Sequence, residues 1–200
     1  MKYLPIGNNM KHRLTEENNM KYTDKIKMKN GQECTIRNAT YEDGQQVSEL
    51  YARVHDETDY LLTYSDEHAF DVEGESEFLK GREESSKDIM LLAVVDGKIV
   101  ANAGISGIGN KDKVKHRAEF GISVLKEYWG LGIGRNLMKV CVECAKKAGY
   151  KQLELEVVAD NAKACKMYKS AGFVEFGRNP KGFLSRYSGY QEVVSMRLEL

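Results

Sequence analysis

The hydrophobic period of this chain changes at Gly134, and that change narrows the folds open to it. Lys115 to Val124 reads as a strand. Beyond Gly134, Leu137, Cys141, Cys144 or Ala145, and Ala148 recur at helical spacing, forming one apolar stripe. Gly149 stops that helix, and two lysines stand in its last turn, where the helix dipole favours cations. Gln152 to Val158 then alternates polar and apolar through Leu153, Leu155 and Val157. Strand, helix and strand in this order imply a right-handed crossover between parallel neighbours. At the first junction stands Trp129-Gly130-Leu131-Gly132-Ile133-Gly134-Arg135.

The elements before the crossover have a different character. Cys34 to Arg37 reads as a strand, and Thr40 to His55 as an amphipathic helix carrying Val47, Leu50, Tyr51 and Val54. Glu75 to Glu84 reads as a second, shorter helix. Ile89 to Val95 is continuously apolar, as in a strand buried on both faces. Asp96-Gly97 is a two-residue hairpin signal, so Lys98 to Ile108 should return antiparallel. Asn161 or Asp160 caps a later helix that Gly172 stops, followed by a strand at Phe173 to Phe176. A polar loop is expected from Gly177 to Gly189, then a last strand from Val193 to Leu198. The expected fold is α/β in the α+β sense. A mixed, mostly antiparallel sheet of about seven strands is flanked by helices, in one domain over residues 31–200. Residues 1–30 are polar and aperiodic and are expected to be a loosely ordered extension.

Composition removes several classes of function. Thirty basic residues balance thirty acidic ones, whereas a general nucleic-acid binder should show a basic excess. No apolar run approaches the roughly 18 residues of a membrane span. No apolar stretch near the start resembles a secretory signal, so a cytoplasmic location with reduced thiols is expected for Cys34, Cys141, Cys144 and Cys165. Cys141 and Cys144 form a Cys-x-x-Cys, but no second Cys/His pair follows to complete a zinc site. No metal is expected, and the pair reads as core packing on the helix.

The glycine turn carries the chemistry. Glycines remove Cβ atoms where the chain enters a helix, exposing N–H groups at the positive end of the dipole. Such a place suits phosphate oxygens, and Arg135 adds a cation. A tight turn with close helix–sheet packing is the plainer explanation. A Walker loop would need Gly-Lys-Ser/Thr where Arg135-Asn136 stands. A dinucleotide fingerprint starting at Gly130 would need glycine at position 135.

The downstream context is more specific. Asn161, Ala164, Tyr168 and Gly172-Phe173 follow the next strand at the spacing Asn-x-x-Ala-x-x-x-Tyr-x-x-x-Gly-Phe. With Gly132 and Gly134 in the loop, this resembles the GNAT superfamily of acetyl-coenzyme A-dependent N-acetyltransferases. Trp129 stands where that family has Gln or Arg. The resemblance covers about Glu33 to Leu198. It implies a GNAT-type sheet with a splayed pair of parallel strands, acetyl-CoA as cosubstrate, and a primary amine acceptor, either a small molecule or a peptide. It implies that Ile122, Ser123 and Val124 face the pantetheine arm and polarise the thioester carbonyl. Trp129, Gly130, Leu131, Gly132, Ile133, Gly134 and Arg135 would hold the diphosphate, and Asn161 would contact the arm. Tyr168 would be the general acid for the departing thiolate.

Glu119 is the candidate base, directly or through water, with a salt bridge to nearby Arg117 as the alternative. His55 and His116 could relay a proton but lack a sequence partner. Asp56, Glu57, Asp59 and Asp66 make the acceptor-side region acidic, which would suit a cationic amine or be a solvated face. A non-catalytic acyl-CoA-binding module on the same fold is the alternative function, and a nucleotide-binding protein a third. No nucleic-acid or membrane partner is expected, and an antiparallel edge strand would allow a homodimer.

Overall fold

The computed structural model describes residues 20–67 and 71–200. They form one eight-stranded sheet in the order β1-β2-β3-β4-β5-β6-β8-β7. The strands are β1 (Thr23–Lys27), β2 (Glu33–Asn38), β3 (Ile89–Val95), β4 (Lys98–Gly107), β5 (Arg117–Val124), β6 (Gln152–Val158), β7 (Val174–Ser185) and β8 (Gly189–Glu199). The helices are α1 (Gly44–Glu57), α2 (Val72–Glu84), α3 (Ile133–Lys147) and α4 (Ala162–Ser170). The pairing of β5 with β6 is parallel, and the other neighbours run antiparallel. Helices α1 and α2 pack against one face of β3 and β4, and α3 lies against β3, β4 and β5. Among the described residues, no helix is long and apolar enough to cross a membrane.

Burial follows the sequence pattern. Strand β3 carries Leu91, Leu92 and Ala93 in the core, as its unbroken apolar run requires. Leu137, Cys141, Cys144 and Ala145 form the buried stripe of α3. Burial pushes the Cys144 thiol up to about 11 and raises that of Cys141 as well, so these thiols stay neutral packing groups. Gly149 ends α3 at φ +85°. Asp43, just before α1, is buried and accepts two 2.7 Å bonds from the Arg37 guanidinium.

Two segments depart from the expected layout. Residues 1–19 of the expected extension lie outside the described residues, but residues 20–30 are part of the fold. Strand β1 pairs with β2 from Thr23↔Arg37 to Lys27↔Glu33, and Met20, Tyr22 and Met28 are buried. The strand was illegible because its own residues sit at a sheet edge, half exposed, with no apolar alternation. The second departure is the stretch from Gly177, expected to be a loop. It continues β7 to Ser185 and pairs with β8 as far as Ser185↔Gly189. Its polar residues and Pro180 fit an edge strand, where a missing N–H costs no ladder bond. The register shifts between Asn179 and Phe183, so Pro180 falls within an irregularity.

Deleting residues 1–30 should therefore destabilise the domain. Three buried side chains at ~1.5–3 kcal/mol each imply a loss of about 5 kcal/mol or more. Urea unfolding of the truncated and full chains measures this, and equal midpoints would contradict the assignment of Met20, Tyr22 and Met28 to the core.

Candidate active site

The site begins where the β5–β6 ladder stops. The strands pair at Arg117↔Gln152, Ala118↔Leu153 and Glu119↔Glu154, and no further. Beyond Glu119, β5 keeps its β4 partner and β6 its β8 partner, but the two no longer pair with each other, so a gap opens between them. Hydrogen-bond parity decides which groups face that gap. Ile108 N–H donates to Arg117 and Leu125 N–H to Val100, which places the pairs of Glu119, Gly121 and Ser123 in direct exchange with β4. The N–H groups of Ile122 and Val124 therefore point into the gap. Ser123, expected to join them through its backbone, points its N–H at β4 instead.

Beyond β5 the chain makes a short 3₁₀ turn, Lys126–Tyr128, and enters the glycine loop. Gly130 and Gly132 adopt φ +80° and +100°, a left-handed backbone in which a Cβ is strained. Gly132 is the N-cap of α3. The N–H groups of Ile133, Gly134 and Arg135 open the helix, where no intrahelical carbonyl can reach them. Asn136 is the first to close back, its N–H and its Nδ2 both donating to the Gly132 carbonyl at 3.2 and 2.9 Å. Arg135 is exposed and pairs with no carboxylate among the described residues. The loop is also braced from behind: Lys29 N–H donates to the Leu131 carbonyl at 3.1 Å.

Trp129 takes a role its position in the sequence did not disclose. Its indole N–H donates to the Val124 carbonyl at 2.7 Å, closing the end of β5 onto the loop. Lys163, the second residue of α4, places its ammonium 5.6 Å from the indole ring centre. Asn161 is the N-cap of α4, and its side-chain oxygen accepts from Ala164 N–H at 3.1 Å. That leaves its NH₂ group and one oxygen lone pair for any other partner.

Alternation along β5 separates two faces. Phe120 and Ile122 face α3 and α4. The Tyr168 ring meets Phe120 edge-on with centroids 6.2 Å apart and leans on Phe173 at 5.9 Å. Tyr168 is 6% exposed, and its hydroxyl has no hydrogen bond among the described residues. Burial holds its phenol well above the ordinary tyrosine value, and the Cys165 thiol adds to the effect, so Tyr168 is a proton donor throughout the neutral range. Cys165 itself is half-buried, with its thiol raised mainly by burial.

Glu119, Gly121 and Ser123 face the other side, where α1 and α2 cover the sheet. There they border a cavity of about 340 Å³, shared with Tyr51, His55, Arg82 and Asn102. Arg117 does not pair with Glu119. It grips Glu154 instead, with Nη2 2.7 Å from Oε2, and the Glu119 carboxylate has no ionic partner among the described residues. Asn102 is buried and organises the cavity wall: its Nδ2 donates to the Tyr51 hydroxyl at 3.2 Å, and its Oδ1 accepts from Ser123 Oγ. His55 Nδ1 donates to the Tyr51 carbonyl at 2.6 Å, and Nε2 meets Thr63 Oγ1 at 2.9 Å. His116 lies on the exposed stretch before β5, away from the cavity. Asn102, Tyr51 and Arg82 were missed in the sequence. The one available signal was a lone polar residue in the apolar run Val100 to Ala103.

The acidic region does not line this cavity. Asp59 accepts from Ser185, Ser188 and Gln191, and Asp66 pairs with Arg186 at 2.8 Å. Asp56 accepts from Ser65, and Glu57 from Lys126 N–H at 2.7 Å. Asp59 and Asp66 fasten the loop after α1 to the β7–β8 hairpin, Glu57 ties the end of α1 to the turn after β5, and Asp56 holds the loop locally. Asp56 and Asp66 stay exposed to solvent in these contacts.

Residues 45–173 match the model of the acetyltransferase (GNAT) family. The chain belongs to that family. A curated relative, the L-amino acid N-acetyltransferase AaaT of Escherichia coli, is 34% identical over 92 residues. That match covers 46% of this chain and 56% of the relative, so the chain spans little more than half of the relative's length. The GNAT-family acetyltransferase of Streptococcus pneumoniae superposes with a TM-score of 0.79 at 28% identity, over 84% of this chain and 99% of that one. An acetyltransferase of Salmonella typhimurium, solved with acetyl-CoA, has the same fold at 19% identity and a TM-score of 0.74, over 84% of this chain and 94% of its own.

The left-handed backbone of the loop can be tested directly. Gly132→Ala should lose ~1–2 kcal/mol in urea unfolding, because alanine is strained at this φ. Gly81→Ala, in the middle of α2 with open space around it, should instead gain up to ~1 kcal/mol.

Proposed function

We propose that this protein is an N-acetyltransferase that moves the acetyl group of acetyl-CoA directly to the primary amine of a small molecule. The observation that carries the reading is the gap between β5 and β6, which leads to the glycine-opened N-terminus of α3. The amide row at Ile122 and Val124 suits an extended pantetheine arm, which can pair with β5 as an added strand. The N–H groups from Gly130 to Arg135 suit the diphosphate, with the Arg135 charge beside them. The name of the Escherichia coli relative, an L-amino acid N-acetyltransferase, supports a small acceptor, as does a cavity of about 340 Å³.

Acetyl-CoA supplies an acetyl group activated as a thioester. This chain's residues do the rest from two sides of β5. One of the Ile122 and Val124 N–H groups would donate to the thioester carbonyl as negative charge develops on it, and the other to the pantetheine arm. The acceptor must be a neutral amine, because an ammonium has no lone pair. Glu119, at the cavity wall, accepts the amine's proton directly or through water. A bond forms from nitrogen to the acetyl carbon, the carbon–sulfur bond breaks, and Tyr168 donates its phenolic proton to the leaving sulfur. Its raised pKa keeps that proton in place until a thiolate appears.

Calorimetric titration with acetyl-CoA should give micromolar binding, on the order of −8 kcal/mol. A folded protein that binds no acetyl-CoA would overturn the reading. Tyr168→Phe should lower turnover by ~10²-fold while acetyl-CoA affinity stays within a few-fold. An unchanged rate would remove Tyr168 from the mechanism.

A further inference from the structure

The cavity beside Glu119 has a second charge on its wall. Arg82, near the end of α2, borders the same space, and its side chain is only 19% exposed. Its guanidinium lies 4.7 Å from the Phe78 ring centre, and its Nη1 stands 3.0 Å from Asp88 Oδ2. That contact lacks hydrogen-bond geometry, so Nη1 is a buried donor left unsatisfied. Asp88 is itself shared, since its Oδ1 accepts from Gly107 N–H at 3.0 Å and the Tyr150 hydroxyl at 3.1 Å. A guanidinium has five N–H donors in a planar fork. Asp88 and Phe78 hold this fork in place without exhausting it. Arg82 and Glu119 thus present opposite charges to one cavity, and they form no ion pair with each other among the described residues.

We infer that the acceptor is a free α-amino acid, with its carboxylate bound by Arg82 and its amino group turned towards Glu119. The inference rests on the acetyl-CoA reading and adds the chemistry of the acceptor to it. Two unlike charges facing one space complement a zwitterion. A polyamine would bring cations against Arg82, and a simple alkylamine would offer the guanidinium no acceptor beyond Asp88. Apolar side chains, among them Leu61, Phe78 and Ile89, complete the wall and suit an apolar amino-acid side chain. Gly104 and Gly121, paired across β4 and β5, leave the floor of the cavity without side chains. Arg82 is in this scheme a binding residue that selects the acceptor.

The test is thiol release from acetyl-CoA with L-leucine and L-phenylalanine, each set against its decarboxylated amine and its carboxamide. In the wild-type protein kcat/KM should favour the amino acids by on the order of 10²-fold, since a site built for a charged hydrogen bond rejects the analogue that lacks it. Arg82→Gln should bring that ratio close to one, chiefly by raising KM for the amino acids, and Arg82→Lys should keep part of it. Thermal melting and acetyl-CoA titration check that each variant is folded. If Arg82→Gln does not fold, the wild-type and Arg82→Lys ratios decide. Equal use of amine, amide and acid by the wild type would overturn the inference, as would an unaltered ratio in a folded variant. Transfer to spermidine or a peptide but to neither amino acid would overturn it too, leaving the acetyl-CoA reading intact. Failure to bind acetyl-CoA at all would instead overturn the reading beneath it.

Discussion

The end of the ladder between β5 and β6 is the constraint on which the site depends. Two parallel strands pair for three residues and then part, because β5 is held by β4 on one side and β6 by β8 on the other. Across the ladder, Arg117 of the first pair neutralises Glu154 of the last. At the far end, the indole of Trp129 satisfies the Val124 carbonyl and fixes the loop that opens α3. Backbone groups in the gap are thereby kept from the neighbouring strand. An unpaired buried amide is costly, so such a row persists only where solvent or a ligand completes it. In the proposed reading the gap is a binding feature made from main chain, and side-chain identity matters chiefly at its two ends.

The pleat of β5 then divides the chemistry. Tyr168 packs against Phe120 on the α4 face, whereas Glu119 opens onto the cavity under α1 and α2. A proton donor and a proton acceptor on opposite sides of one strand cannot neutralise each other. In the proposed reaction each would serve a different atom. The environments differ in the same sense: apolar rings surround the phenol, while the carboxylate borders an open space with a polar wall.

Much of this was legible in the sequence because it depends on local rules. The period change at Gly134, the glycines with left-handed backbone, the Asn161 cap and the tyrosine one face further on are all short-range features. The crossover between parallel strands follows from them. What was not legible depends on partners distant in the chain. Strand β1 shows no alternation because only its neighbour β2 makes it a strand. The stretch after Gly177 looked like a loop because an edge strand tolerates polar residues and a proline. The backbone direction of Ser123 depends on ladder parity with β4, which no single strand reveals. Asp59 and Asp66 looked available until their partners, more than a hundred residues away, were in place.

The sequence by itself determined the α/β layout, the glycine turn that opens α3 and the position of the tyrosine, since each is written in spacing along one short segment. Only the tertiary structure decided which amides face the gap, that Arg117 belongs to Glu154 rather than Glu119, and that Arg82 and Glu119 share a cavity. Those outcomes depend on strand register and on helices packed across a sheet. Both are set by long-range burial, which the order of residues along one segment does not encode.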